Sequence, residues 1–315
     1  MRVVLLAGGV GGAKMADGLA ATVGPDLTVI VNTGDDLKLH GLAIWPDHDT
    51  VAYTLAGLDD EVRGWGLRGE SWTVMDRLEA LGEVEWFRLG DRDLATHIWR
   101  TDRLRAGNRP TEVALELATA MGIQSRILPM ADEPVRTDVR TDDGWLEFQE
   151  YFVHRHQEPT VYEVRFRGIE TARPTPEVLA AIEAAEVIVI APSNPVVSID
   201  PILALSGMRD ALSGTLGRGV PVVAVSGIIG GKALKGPADR MLASLGEVSS
   251  AVGVAARYEP LISHFVMDQV DAALLPSLEA LGVNTLVTDT IMTDDTARAR
   301  LAGEVLRFAG TVAIS

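Results

Sequence analysis

The sequence predicts an α/β protein in which a mostly parallel β-sheet, covered by helices on both faces, carries a helical and antiparallel β insertion. Three observations predict it. The chain opens with an apolar β-rich run, a glycine turn and a helix; the same pattern returns in the C-terminal half; and between them helical periodicity gives way to alternation.

The elements follow in order. Val3–Ala7 reads as a strand, Gly8–Gly12 as a turn, Ala13–Val23 as a helix and Leu27–Val31 as a second strand. Both strands are apolar without alternation, as expected of parallel strands buried on both faces. Asp49–Leu58, Ser71–Leu81, Leu94–Arg105 and Thr111–Met121 have helical periodicity with few strands between them. Arg126–Leu128, Val135–Arg140, Trp145–Phe152 and Val161–Arg167 then alternate, with Asp143-Gly144 as a hairpin signal. Residues 50–170 are therefore expected to form an insertion, and residues 1–49 with 171–315 a Rossmann-like nucleotide-binding core. The short runs Val187–Ala191, Val222–Val225, Ser263–Met267 and Asn284–Thr288 are strand candidates, and Thr293–Phe308 is a closing helix.

Composition narrows the function. With 315 residues, 47% of them hydrophobic and 23% charged, the chain can bury a substantial core. It contains no cysteine, which excludes disulfides, thiolate catalysis and cysteine zinc sites. No apolar run reaches the roughly 20 residues of a membrane span, and the first apolar run is too short for an export signal, so the expected location is the cytoplasm. A formal charge of −16 argues against nucleic acid as a partner. Any phosphate must then be held by a local device, not by the field of the whole surface.

Several segments carry chemistry. Gly8-Gly9-Val10-Gly11-Gly12-Ala13-Lys14 lies between a strand and a helix, where glycines let a phosphate approach free N–H groups. It is not a Walker A loop, and Lys14 stands where a dinucleotide fingerprint has its third glycine. Asn32-Thr33-Gly34-Asp35-Asp36 ends the second strand, at the ligand edge of such sheets. Asp47 and Asp49 are two apart, so an extended backbone would put both carboxylates on one face, as a Mg²⁺ site facing a diphosphate. Asp49 also precedes a helical run, so its alternative reading is as that helix's N-cap. On that reading Asp49→Asn costs little stability, because Asn caps as well as Asp.

Leu89-Gly90-Asp91-Arg92-Asp93-Leu94-Ala95-Thr96-His97 is dense in charge. It reads either as a capped helix start or as a site where Arg92 clamps a phosphate or carboxylate and Asp91 or Asp93 orients it or the acceptor. Ala191-Pro192-Ser193-Asn194-Pro195 and Ser226–Lys232 each follow a buried strand and open onto the same edge as the glycine turn. Trp65, Trp72, Trp86, Phe87 and Trp99 gather in the insertion, as a stacking surface for a flat ligand or as its core.

Taken together, Gly8–Lys14, Asn32–Asp36, Pro46–Thr50, Gly64-Trp65-Gly66, Leu89–His97, Ala191–Pro195 and Gly236-Pro237-Ala238 resemble the 2-phospho-L-lactate transferase family of coenzyme F420 biosynthesis, in collinear order over nearly the whole chain. The resemblance implies a guanosine diphosphate ester as donor, the ribityl hydroxyl of the deazaflavin Fo as acceptor, GMP as leaving group, Mg²⁺ as cofactor and a homodimer. It implies that Gly8, Gly9, Gly11, Gly12 and Lys14 take the phosphates and that Ser193 and Asn194 seat the guanosine. Asp47 and Asp49 would hold Mg²⁺, or one of them would receive the hydroxyl proton. Arg92 would act on the transferred group, and Asp49, Trp65, Asp91, Arg92 and His97 would form the acceptor site. Details of spelling are closer to the bacterial branch, which implies a phosphoenolpyruvyl donor. Gly227 departs from the proline expected in that family, which would loosen its turn. Two rival readings are an NAD-dependent dehydrogenase, suggested by the glycine turn and Asp35, and a non-catalytic UDP-sugar-binding regulator.

Overall fold

The computed structural model describes residues 1–84 and 86–311. In chain order the first elements are β1 (Val3–Ala7), α1 (Gly9–Val23), β2 (Leu27–Val31), the hairpin of β3 (Leu37–Leu39) and β4 (Leu42–Ile44), and α2 (Pro46–Leu55). Next come α3 (Thr73–Ala80), α4 (Asp91–Arg105), α5 (Pro110–Ala120) and β5 (Arg126–Pro129). A small antiparallel sheet follows, with β6 (Arg136–Thr141) flanked by β7 (Gly144–Glu147) and β8 (Glu163–Arg167). The C-terminal half runs α6 (Pro176–Ala184), β9 (Val187–Ile190), α7 (Asp200–Ala204), α8 (Met208–Gly217), β10 (Val222–Val225) and the short hairpin β11 (Ile228–Ile229)–β12 (Lys232–Ala233). It closes with α9 (Ala238–Ser244), α10 (Ala251–Tyr258), β13 (His264–Asp268), α11 (Leu275–Glu279), β14 (Asn284–Thr288) and α12 (Asp295–Thr311).

The main sheet has seven strands in the order β14-β13-β10-β9-β1-β2-β5, all parallel. Its strands read as continuous apolar runs because both faces are covered. Val3, Leu5 and Ala7 face a core shared with α1, α2 and α12, whereas Val4 and Leu6 face a second core shared with α6, α8 and α10. The chain builds outward from β1 through β2 to β5, then returns to the other side of β1 with β9. That reversal creates a crevice at the carboxyl ends of β1 and β9, where open α/β sheets bind ligands.

The expected insertion over residues 50–170 needs correction. β5 pairs with β2, Val29 opposite Ile127, and is the edge strand of the main sheet. α2 packs along α1 in the core layer. The core therefore takes in parts of that range, and two separate excursions remain: the loops and helices around α3 and α4, and the β6–β8 sheet. The hairpin turn falls on Asp142-Asp143, since Thr141 pairs with Gly144. No helix among the described residues is long and apolar enough to cross a membrane.

Candidate functional site

A cleft of about 1070 Å³ opens at the switch point between β1 and β9 and runs out under both excursions. Its inner end is made by the sheet. The expected glycine turn is shorter than its sequence suggests: α1 begins at Gly9, so Gly11 and Gly12 lie in its first turn. The N-cap of this helix, Gly8, has no side chain to cap it; Asp47 Oδ1 takes the Gly9 N–H, and Gly9, Val10 and Gly11 face the cleft. The remaining N–H groups and the positive dipole end of a helix N-terminus can receive an anion.

Two glycines are required for different reasons. Gly9 has φ +61°, a conformation that side chains with a Cβ rarely adopt. A Cβ on Gly11 would lie 2.3 Å from the Pro192 carbonyl oxygen, so this glycine lets α1 pack against the turn after β9. Gly12 is buried against Ala7 and Ser193 and does not line the cleft. Ser193 ties the two turns together: its Oγ donates to Gly8 O at 2.7 Å and accepts from Gly8 N at 3.2 Å. The Asn194 side chain caps the following turn by accepting from Val196 N and Val197 N. Both residues line the cleft, with their oxygens committed to protein partners.

Beside the helix terminus sits a buried acidic pair. Asn32 is fully buried, and its Nδ2 lies 2.9 Å from Asp47 Oδ2, 3.2 Å from Asp35 Oδ1 and 3.2 Å from Val197 O. Asp47 also accepts from Gly9 N at 2.8 Å. Burial pushes Asp47 up to about 6. Burial, followed by the charge of Asp47, holds Asp35 well above the usual carboxylate range. Burial raises Asp36 likewise, and its Oδ1 has no hydrogen-bond partner.

Asp47 and Asp49 do not share a face. They lie in the first turn of α2, N-capped by Trp45, and two residues along a helix are about 200° apart. Asp49 is therefore neither an N-cap nor the partner of Asp47. It receives both terminal nitrogens of Arg100, one of them at 3.0 Å. Arg100 is 0% exposed and lies over the Trp45 ring. Burial opposes ionisation of Asp49, but Arg100 and the hydrogen bond from His48 outweigh it and hold the carboxyl far below the usual range.

Around Asp49 gathers a polar cluster. Tyr53 Oη donates to Asp93 Oδ1 at 2.5 Å, and His97 Nε2 lies 3.2 Å from the same oxygen. Arg100 can only donate, so His97 Nδ1 accepts from it at 3.1 Å. Asp49, Asp93 and His97 place ligand atoms within 4.8 Å of one another. Sequence reasoning did not single out Tyr53 and Arg100, and named Asp93 only as an alternative to Asp91. The signal was helical spacing: Asp49 and Tyr53 on α2, and Asp93, His97 and Arg100 on α4, each share one face.

The outer end of the cleft is aromatic. Trp65 and Trp72 meet edge to face at 5.9 Å, Trp86 and Phe87 at 5.8 Å, and Phe148 stacks on Phe152 at 5.4 Å. All six line the cleft. Trp99 does not; it packs beside Trp45, Val113 and Ala114. Phe148 and Phe152, from the antiparallel excursion, were not anticipated.

Three expected site residues lie elsewhere. Arg92 is exposed, outside the cleft, and donates to the Arg68 carbonyl at 3.0 Å. Asp91 accepts from Ser71 Oγ and from the backbone of Thr73 and Val74, so it secures the start of α3. Both point outward because the inward face of α4 is taken by Asp93 and His97. Lys14 points away from the helix N-terminus and donates to Met292 O at 2.8 Å. Gly227 is not loose: Ser226 Oγ bonds both N and O of Ile228, and a Cβ on Gly227 would stand 3.3 Å from Pro192.

Comparison with known proteins agrees with this geometry. A family model described as 2-phospho-L-lactate transferase CofD matches residues 3–300. A phosphoenolpyruvate transferase of Kitasatospora aureofaciens is 43% identical over 99% of both chains. A 2-phospho-L-lactate transferase of Methanosarcina barkeri is 38% identical over 98% of this chain and 99% of its own. Among solved structures, protein BH3568 of Bacillus halodurans, from the UPF0052 family, superposes with a TM-score of 0.62 over 96% of this chain and 98% of its own. At 16% identity that likeness shows the fold alone. The family match covers strands, cleft and both excursions, and on that evidence the chain belongs to the 2-phospho-L-lactate transferase CofD family.

Proposed function

We propose that the chain transfers a phosphoenolpyruvyl or 2-phospho-L-lactyl group from a guanosine diphosphate ester to the ribityl hydroxyl of Fo. The observation that carries this reading is one continuous cleft with the N-terminus of α1 at one end and six aromatic rings at the other. A diphosphate suits the first end and a flat tricyclic ring the second. The reacting hydroxyl then falls between them, beside Asp49.

In the reaction the acceptor oxygen attacks the phosphorus that carries the three-carbon group. The bond from that phosphorus to the bridging oxygen breaks, and GMP leaves with the electron pair. Asp49, held ionised by Arg100, accepts a hydrogen bond from the hydroxyl and aligns it; being a weak base, it takes the proton only late, once the bond to phosphorus has made that proton strongly acidic. Such transfers ask a protein mainly for alignment and charge neutralisation. Tyr53, Asp93 and His97 fix the position of Asp49 and Arg100 and exclude water from that corner.

Mg²⁺ fits this chain best at Asp35 and Asp47. They supply oxygen donors, which this ion prefers. Both are buried with only the Asn32 amide between them, and Asp47 occupies the helix terminus where a phosphate would lie. Two carboxylates and a phosphate need a cation among them. Asp49, Asp93 and His97 fit it less well, because Arg100 already supplies the charge there. When bound, the ion would neutralise the diphosphate. The test is incubation with Fo, each guanosine diphosphate ester and Mg²⁺, followed by product mass. Absence of a deazaflavin phosphodiester with every donor would rule the reading out.

A further inference from the structure

Lys14 was expected at the phosphates, yet it turns into a smaller pocket of about 250 Å³ behind Trp65. This pocket shares Val10, Tyr53, Trp65 and Lys235 with the main cleft, so the two communicate beside the start of α1. Its charged lining is Lys14, Lys235, Arg298, Asp59 and Glu61. Arg298 is buried and neutralised, its terminal nitrogens bonding Asp17, Asp295 and Glu61, while its Nε has no partner among the described residues. Lys14 and Lys235 differ: among the described residues neither pairs with a carboxylate, and Lys14 spends one of three N–H groups on Met292 O.

We propose that this side pocket is the subsite for the carboxylate of the donor's three-carbon group, with the Lys14 and Lys235 ammonium groups as its counter-charges. The inference rests on the transferase reading above. Two unpaired cations facing one small cavity are unusual in a chain of formal charge −16. Burial lowers the Lys14 ammonium below its usual range and the charges of Arg298 and Lys235 lower it further, while Glu61 and Asp59 offset part of that effect. The size agrees. At about 30 Å³ per water the pocket holds roughly eight waters, room for a three-carbon acid with part of its hydration. The pocket also opens next to Val10, so a phosphate at the helix terminus would place its substituent there.

The test uses the full chain and three ligands in calorimetric titration: GDP, the lactyl ester of GDP, and the same ester with a carboxamide in place of the carboxylate. The wild type should bind the carboxylate ester about ten- to hundredfold tighter than the carboxamide, the range of charge-assisted hydrogen bonds. Lys14→Met and Lys235→Met should each remove most of that preference and leave GDP affinity within about twofold. Lys14→Arg should keep it, and thermal melts establish that each variant is folded. Lys235 lies in an exposed loop, so its variant tests the idea even where Lys14→Met does not fold. Equal binding of the two esters by the wild type, or a preference that survives in the folded variants, overturns the subsite. Equal losses for GDP and ester would assign the lysines to the diphosphate instead. A wild type that binds no guanine ligand at all removes the transferase reading and this inference with it.

Discussion

The two ends of the cleft are built by different means. The inner end is made largely of backbone: the start of α1, the turns after β1 and β9, and an asparagine that locks three segments together. The outer end is made of side chains, with rings contributed by two excursions far apart in sequence. At the inner end a change of Gly11 to alanine collides with main chain. At the outer end a ring can be lost and the fold kept. On the proposed reading, the sheet's topology would dictate where a phosphate goes, and the excursions what is stacked against it.

Asp49 joins the two ends, and its replacement should have the largest effect. Asp49→Asn should lower turnover on the order of 10²–10⁴-fold as the acceptor's proton loses its base. It should also cost about 3–5 kcal/mol of stability, because Arg100 is left as an uncompensated buried charge. This replaces the expectation from capping, under which stability stays nearly constant. Denaturant unfolding of the variant decides between them, and an unchanged midpoint would mean that the Arg100 pair contributes nothing.

Gly11→Val probes the inner end. Its side chain meets the Pro192 carbonyl, so stability should fall by about 1–3 kcal/mol or more, with nucleotide affinity falling alongside it. A variant that melts normally but binds GDP poorly would show instead that Gly11 serves only the ligand.

Trp65→Ala probes the outer end. Trp65 is 45% exposed, so its loss should change stability little. Fo affinity should fall by about 1–3 kcal/mol, the range for a stacked ring, with GDP affinity unaltered. Quenching of tryptophan emission on Fo titration reads this directly. If GDP binding weakens equally, the two ends are not separable.

The smallest effect is expected at Arg92. Its guanidinium is exposed and, among the described residues, bonds only the Arg68 carbonyl. Arg92→Ala should therefore change stability by no more than about 0.5 kcal/mol and KM for Fo by less than about threefold. A loss of tenfold or more would show that the segment carrying Arg92 closes over the acceptor.

Sequence alone determined the parallel sheet, because strands such as Val3–Ala7 and Val187–Ile190 must be apolar on both faces and therefore announce themselves. It also located the edge at which the cleft opens, since the glycines and the Ser193-Asn194 turn follow strands directly. It named Asp47 and Asp49 but misread their backbone: a spacing of two means one face in a strand and nearly opposite faces in a helix. The proline that starts α2 at Pro46 was the overlooked sign. Only the tertiary structure decided which charges meet. Arg100 lies 51 residues from Asp49 and finds it because α2 and α4 converge on one corner. Arg92, eight positions earlier on the same helix, faces solvent instead. Local pattern shows which residues share a face, but which faces come together follows from burying apolar surface across the whole chain, and no window of sequence contains that information.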